Sequence, residues 1–188
     1  MNISQNVDWN FSKQTSECLS RSGWHPNRTL DTTTFVGSLI AAGFVVHEAA
    51  ADFLKEFGGL CIKYPHAKVA DLEDEMHFDA LIVSAHITPA AVNAYAKVLG
   101  RKLTPIGEAD RGYLTLMMDD EGKVYASYDD FFALVGSSGA DAIEGLCSVS
   151  IRNEQLANPA IFGRAARMNG FTYRQVNPTT CFLSCPIP

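Results

Sequence analysis

The hydrophobic period of the chain changes near residue 100, and this change restricts the fold more than any other feature. Before it, apolar residues recur at helical spacing, in segments that have recognisable start and stop signals. From Leu103 onward they alternate with a period of two, and turn residues become frequent. The sequence therefore predicts mostly helices in the first part of the chain and an antiparallel meander after them.

Three helices are predicted before residue 59. The first begins at a Ser12 cap and stops at Gly23, and the second begins at an Asp31 cap and stops at Gly43. The third runs from about His47 to Phe57, with its apolar residues on one face and its charged residues on the other. The apolar stripe of the second helix is predicted to be Phe35, Val36, Leu39 and Ile40.

The middle of the chain predicts a strand, a loop and a further helix. Leu60–Tyr64 has strand composition, and the acidic segment His66–Asp79, which shows little periodicity, predicts a solvated loop. Ala80–Ser84 is read as a short strand. Thr88 as cap, Pro89 at the first helical position and Gly100 after the last turn then predict a complete helix.

The period-two region predicts an antiparallel meander. Asp119–Gly122 supplies a short hairpin loop, since its glycine tolerates a positive φ. A helix capped by Ser137 or Ser138 follows and reaches Cys147. The predicted strands are Leu103–Ile106, Gly112–Met118 and Lys123–Tyr128.

The charge of the chain is divided unevenly. The formal net charge is −6, which is the wrong sign for a protein whose main partner is a phosphate backbone. Residues 151–188 contain one acid and four bases, so they carry +3 and the preceding residues carry −9. We therefore predict an acidic domain over residues 10–150 and a basic extension, with a possible helix near residues 158–170, over residues 151–188.

The sequence does not indicate export, a membrane span or a cofactor. The longest apolar stretch, Phe35–Val46, is 12 residues, and the N-terminus lacks a secretory pattern, so a cytoplasmic location is expected. The five cysteines are irregularly spaced, as reduced thiols in a cytosol would be. A zinc site built on Cys147, Cys181 and Cys185 with a histidine is a weaker alternative, because the paired spacing of zinc knuckles is missing.

The sequence contains no catalytic motif that predicts an enzyme. The five histidines are scattered, and no nucleophile elbow, metalloprotease motif, Walker loop or dinucleotide fingerprint is present. The acidic segment Asp71–Asp79 matches no metal template, so it is read as a hydrated loop or as a surface for a basic partner. Gly58-Gly59 stands at a helix C-terminus, where it is expected to stop the helix rather than bind an anion.

Trp24 and Arg28 differ from the other polar and aromatic residues because they follow a helix-ending glycine and flank a proline. A tryptophan at such a position is expected to wedge between elements, and the arginine donors can bind loop carbonyls. A structural anchor is therefore the favoured interpretation. A binding site that uses the same two residues is the alternative.

Seven short segments, taken in order, resemble the SUKH superfamily of bacterial immunity proteins, and its third family in particular. They span about residues 10–150 and are Gly23-Trp24 with Arg28, Gly43-Phe44, Ala49 to Phe53-Leu54, Phe57-Gly58-Gly59-Leu60, Leu99-Gly100, Pro105-Ile106-Gly107-Glu108 and Gly122-Lys123-Val124-Tyr125. The resemblance implies an α+β fold with a central, mainly antiparallel sheet flanked by helices. It also implies that this fold is a non-enzymatic scaffold that binds and neutralises a cognate polymorphic toxin, often a nuclease or a deaminase.

An acidic surface suits such a partner, because toxins that act on nucleic acid have basic clefts and opposite charge accelerates association. The two densest acidic patches are therefore predicted to face the toxin, with no role for nucleic acid or membrane. A non-enzymatic adaptor or regulatory module remains the alternative function. The predicted contact residues are Asp71, Glu73, Asp74 and Glu75 in the first patch, and Asp119, Asp120, Glu121, Asp129 and Asp130 in the second.

Overall fold

A computed structural model describes residues 9–66, 69–128 and 131–148. The basic extension and its predicted helix near residues 158–170 lie outside the described residues, as do Cys181 and Cys185. The described residues form six helices and six strands. In chain order they are α1 (Lys13–Arg21), α2 (Thr33–Ala41), α3 (Glu48–Phe57), β1 (Cys61–Pro65), β2 (Glu73–His77), α4 (Ala80–His86), α5 (Pro89–Leu99), β3 (Leu103–Ala109), β4 (Leu114–Asp119), β5 (Val124–Tyr128), β6 (Phe131–Gly136) and α6 (Gly139–Cys147).

The strands form one antiparallel sheet whose spatial order is the order of the sequence, β1 to β6. Helices α4 and α5 are inserted between β2 and β3. Every neighbouring pair is therefore consecutive among the strands, as in a meander. The α+β class with a mainly antiparallel sheet and flanking helices is confirmed.

Helices cover both faces of the sheet. On one face, Tyr95 of α5 stacks on Phe132 of β6 at a centroid distance of 4.6 Å, and Phe132 stacks on Tyr125 of β5 at 5.3 Å. On the other, Phe53 of α3 and Met118 of β4 lie against the backbone of α6 at Gly139. Because side chains of the central strands are buried on both faces, β3 is buried along its whole length.

The helix signals with complete caps locate the helices correctly. Ser12 Oγ accepts a hydrogen bond from the Thr15 amide at the start of α1. Thr88 Oγ1 accepts one from Ala91 at the start of α5, and Gly100 ends that helix with φ of 68°. Ser138, one of the two residues predicted to cap the last helix, caps α6. These side chains satisfy orphan amides of the first turn, which is why they mark helix starts in sequence.

Asp31 does not cap α2 in the predicted way. The helix begins at Thr33 with Thr32 as its N-cap, and the Asp31 carboxylate accepts hydrogen bonds from the Thr33 amide at 2.9 Å and from its hydroxyl. The predicted stripe is also wrong at Ile40, whose side chain is 59% exposed. The helix is apolar around most of its surface, so periodicity does not identify its buried side.

The segment read as a loop contains β2, and the segment read as a strand is α4. In β2 only Met76 is fully buried, and its acidic neighbours lie at the less covered end of the sheet, so no alternating pattern is visible. Helix α4 begins where the Asp79 carboxylate accepts hydrogen bonds from the amides of Leu81 and Ile82. The composition of the apolar run that follows Asp79 is compatible with a strand or a helix, and the Asp79 cap favours the helix.

Strand β6 has no counterpart in the predicted elements. Its sequence, Phe131–Gly136, is an unbroken apolar run, so it shows no alternation that would mark a strand. It pairs with β5 along its length, from Tyr128 with Phe131 to Val124 with Gly136. Gly136 allows α6 to approach closely, since a Cβ there would lie 2.3 Å from the amide nitrogen of Ala142.

Candidate functional site

Trp24 lies inside an aromatic cluster between α1 and α3. Its ring is parallel to that of Phe57, at a centroid distance of 6.1 Å, and perpendicular to that of Phe11 at 5.7 Å. Gly23, with φ of 87°, turns the chain after α1 so that the Trp24 amide donates a hydrogen bond to Leu19 O. The surroundings of Trp24 are therefore those of a side chain that joins two helices.

Arg28 binds the C-terminal end of α3. Its guanidinium donates hydrogen bonds to Glu56 O and, at 2.8 Å, to Gly58 O. Burial lowers the pKa of Arg28, and the Glu56 carboxylate opposes that effect. Glu56 belongs to the last turn of α3 and Gly58 follows that turn, and no amide of the helix can reach either carbonyl. The positive charge of Arg28 therefore also complements the helix dipole.

The Gly58-Gly59-Leu60 segment carries the chain from α3 into β1. The Gly59 amide donates a hydrogen bond to Phe78 O, and the Phe78 amide donates one to Leu60 O. Gly59 has φ of 73°, which favours glycine. Six of the seven predicted motif residues thus surround the end of α3, and the seventh, Gly23, positions Trp24 against it. The seven residues are Gly23, Trp24, Arg28, Phe57, Gly58, Gly59 and Leu60.

The first acidic patch lies at the β1–β2 end of the sheet. Glu73 forms an ion pair with Arg21 at 2.9 Å, and Glu75 lies opposite Lys63 in the strand register. Asp71 and Glu73 are exposed, whereas Asp74 and Glu75 are half-buried. Among the residues that the structure describes, neither Asp71 nor Glu75 takes part in an ion pair of 4 Å or less. This patch keeps unneutralised carboxylates.

The second acidic patch is largely compensated within the fold. The Asp119 side chain is 1% exposed and accepts hydrogen bonds from Tyr125 Oη and from the amides of Glu121 and Lys123, so it holds the β4–β5 turn. Burial, with help from Asp119, raises the pKa of Tyr125 to about 12. Asp119 is therefore not presented at the surface. Asp129 and Asp130 lie outside the described residues.

The two exposed acids of that turn meet cations. Glu121 pairs with Arg101 at 2.5 Å and with Lys123 at 2.9 Å, and these partners lower its pKa. Asp120 lies 3.9 Å from Arg101. The net charge of this turn is consequently much smaller than its sequence indicates.

Sequence reasoning missed a cluster of ionisable residues beside α4. Glu108 of β3 is 1% exposed, and its two carboxylate oxygens meet His77 Nε2 at 3.1 Å and His86 Nδ1 at 2.8 Å. The cluster joins β2, β3 and the end of α4. Glu108 ends the segment Pro105-Ile106-Gly107-Glu108, which is one of the segments that carry the family resemblance, and this is the one signal that could have found it.

The comparison with protein families decides the assignment. A family model described as SUKH-3 immunity protein matches residues 11–149. The chain belongs to the SUKH-3 immunity protein family. The resemblance inferred from the sequence is thus confirmed, and membership supports an immunity function with a protein partner such as a toxin. No curated protein and no solved structure matches the chain.

Two surface grooves of the SUKH-3 protein are formed by residues that the structure describes. One, of about 580 Å³, lies between α1 and the ends of β1 and β2, and the other, of about 310 Å³, lies beside Trp9 and α6. Neither groove is lined by Glu108, His77 or His86. Over the described ranges, no three His, Cys, Asp or Glu residues are arranged to hold a metal ion, and none of the helices there is long and apolar enough to cross a membrane.

Glu108 is expected to stabilise the SUKH-3 fold. Glu108→Ala removes the shared partner of His77 and His86 and leaves space in a buried region, so we expect the free energy of unfolding to fall by about 3 kcal/mol. Glu108→Gln retains the shape and one acceptor and should cost about 1 kcal/mol. Urea unfolding followed by circular dichroism measures both. An alanine variant that unfolds at the wild-type urea concentration would show that the cluster contributes nothing.

Proposed function

We propose that this protein binds and neutralises a cognate bacterial polymorphic toxin, a nuclease or a deaminase, in the cytoplasm and without catalysis of its own. The match of the SUKH-3 immunity model to residues 11–149 is the observation that carries the proposal. We assign toxin binding to the domain over residues 10–150. The charge of −9 on residues 1–150, which precede the basic extension, suits a partner whose cleft binds nucleic acid.

We further propose that the toxin meets the β1–β2 end of the sheet. Within the described part of the chain, Asp71 and Glu75 form no ion pair. Glu73, Asp74 and Glu75 belong to β2, and Asp71 lies two residues before this strand. The Asp120 and Glu121 carboxylates already face Arg101 and Lys123. A basic cleft would gain more from carboxylates that form no ion pair within the fold than from carboxylates that would have to exchange one.

Neutralising the first patch should slow association with the toxin. In Asp71→Asn/Glu75→Gln two charges are removed with little change in shape, and we expect the association rate constant at low salt to fall about tenfold. Because the effect is electrostatic, the difference from wild type should shrink as ionic strength rises. Surface plasmon resonance with the cognate toxin domain, inactivated at its active site, measures both quantities.

A variant with the same change of charge is the control. Asp120→Asn/Glu121→Gln also removes two carboxylates, but these are paired with Arg101 and Lys123, so its rate constant should stay within about twofold of wild type. Equal effects of the two variants would refute the choice of patch. Failure of the wild-type chain to restore growth when co-expressed with the active toxin domain would instead refute toxin neutralisation itself.

A further inference from the structure

Two thiols meet where α1 packs against α6. Cys18 of α1 is 3% exposed and Cys147 at the end of α6 is fully buried, and the two thiols are hydrogen-bonded to one another. The helices are held in place around them, since Gln14 Nε2 donates to Cys147 O at 2.7 Å. The backbone amide of Ser12 also donates to the Glu144 carboxylate at 3.0 Å. The two sulfurs are thus neighbours in space although 129 positions separate them in sequence.

Cys18 has the surroundings of a reactive thiol. Arg21 Nη2 lies 3.7 Å from Cys18 Sγ. The hydrogen bond from Cys147 lowers the pKa of Cys18 to about 6, burial opposes this shift, and Arg21 adds to it. A thiol with such a pKa is mostly thiolate at neutral pH, and the thiolate is the nucleophilic form.

Small molecules can approach Cys18 from solvent. The residue lines the groove of about 580 Å³ between α1 and the ends of β1 and β2. Arg21 and Glu73 form another part of the wall, so the positive group that stabilises the thiolate faces the same space. Cys147 is not among the residues that line this groove, which gives the two thiols different access to an oxidant.

We propose that Cys18 and Cys147 form a peroxide-sensitive dithiol, in which Cys18 is oxidised first and Cys147 resolves it to a disulfide that joins α1 to α6. The Cys18 thiolate attacks one oxygen of hydrogen peroxide, the O–O bond breaks, and the departing hydroxide takes a proton to become water. Cys18 becomes a sulfenic acid. The Cys147 sulfur then attacks the Cys18 sulfur, the S–O bond breaks, and a second water leaves with the Cys147 proton. Two thiols are oxidised by two electrons and one peroxide is reduced.

The disulfide would constrain almost the whole described domain. It would close a loop from residue 18 to residue 147, and long loops lose the most unfolded-state entropy when they are closed. We expect the thermal midpoint of the oxidised protein to lie on the order of 10 °C above that of the reduced protein. A thiol reductant should reverse the shift.

The test uses the full chain with all its cysteines. The protein is treated with hydrogen peroxide, blocked with an alkylating agent, digested without reduction and analysed by mass spectrometry. We expect a Cys18–Cys147 linked peptide, which disappears on reduction. In Cys147→Ser, dimedone should instead trap a sulfenic acid on Cys18. If that variant fails to fold, the linked peptide from the wild-type chain still decides.

Two further measurements connect the reactivity to the geometry. Alkylation of Cys18 should show a pH midpoint near the pKa of about 6. Arg21→Gln should slow the oxidation several-fold at neutral pH, whereas Arg101→Gln, which changes a guanidinium at the β4–β5 turn, should not. The proposal fails if Cys18 is oxidised no faster than Cys61, or if Cys18 pairs with Cys181 or Cys185 in place of Cys147.

Discussion

Gly107→Ala is expected to prevent stable folding, because β3 has no room for a Cβ at this position. A Cβ on residue 107 would lie 2.0 Å from His77 O and 2.9 Å from Phe78 Cα. Both are backbone atoms, so no rotamer change can relieve the contact. Strands β2 and β3 share only the pairs Met76 with Ala109 and His77 with Glu108, and separating them would break that connection. We expect a loss of at least about 4 kcal/mol in the free energy of unfolding.

Gly37→Ala is the matched control for that substitution. Gly37 is exposed within α2, and nothing lies within 4 Å of the position that its Cβ would occupy. Alanine should therefore stabilise the helix, by about 0.5–1 kcal/mol. Urea denaturation followed by circular dichroism compares the two variants. If Gly107→Ala unfolds at the wild-type urea concentration, the close approach of β3 to residues 77 and 78 does not restrict this position.

Sequence reasoning succeeded where a local interaction specifies the element. Ser12 and Thr88 accept hydrogen bonds from amides three residues on, and the β4–β5 turn is built from adjacent residues. Prediction from sequence failed at β2 and β6, because the residues of these strands do not alternate clearly between apolar and polar. Their strand state depends on neighbours in the sheet, so a short window of sequence cannot determine it.

The candidate site shows the same limit more strongly. The sequence located both acidic patches, but whether a carboxylate remains free depends on a cation from another element, as Arg101 does for Glu121. His77, His86 and Glu108 come from β2, α4 and β3 and converge only when the sheet forms. Cys18 and Cys147 are brought together in the same way, by the packing of α1 against α6. Such contacts are long-range in sequence and carry no short motif.

Phe57→Ala is expected to have the largest effect of any truncation at the α3 end. Phe57 is fully buried, and its ring meets four others: Trp9 at 5.6 Å, Trp24 at 6.1 Å, Phe53 at 4.9 Å and Phe78 at 6.4 Å between centroids. Removing it leaves a cavity among rings that belong to several elements, so the site cannot collapse easily. We expect the free energy of unfolding to fall by about 3–5 kcal/mol.

Fluorescence of the two tryptophans gives a second measurement of the effect of Phe57→Ala. Both Trp9 and Trp24 contact the Phe57 ring, so the emission of the folded variant should move to longer wavelength as water enters the cluster. Tyr113→Ala is the control, because its aromatic side chain is 55% exposed and should cost within about 0.5 kcal/mol. Similar losses in the two variants would mean that the domain does not depend on the cluster. A large loss in Phe57→Ala alone would show that the ring cluster around Phe57, on which Trp24 stacks, stabilises the domain.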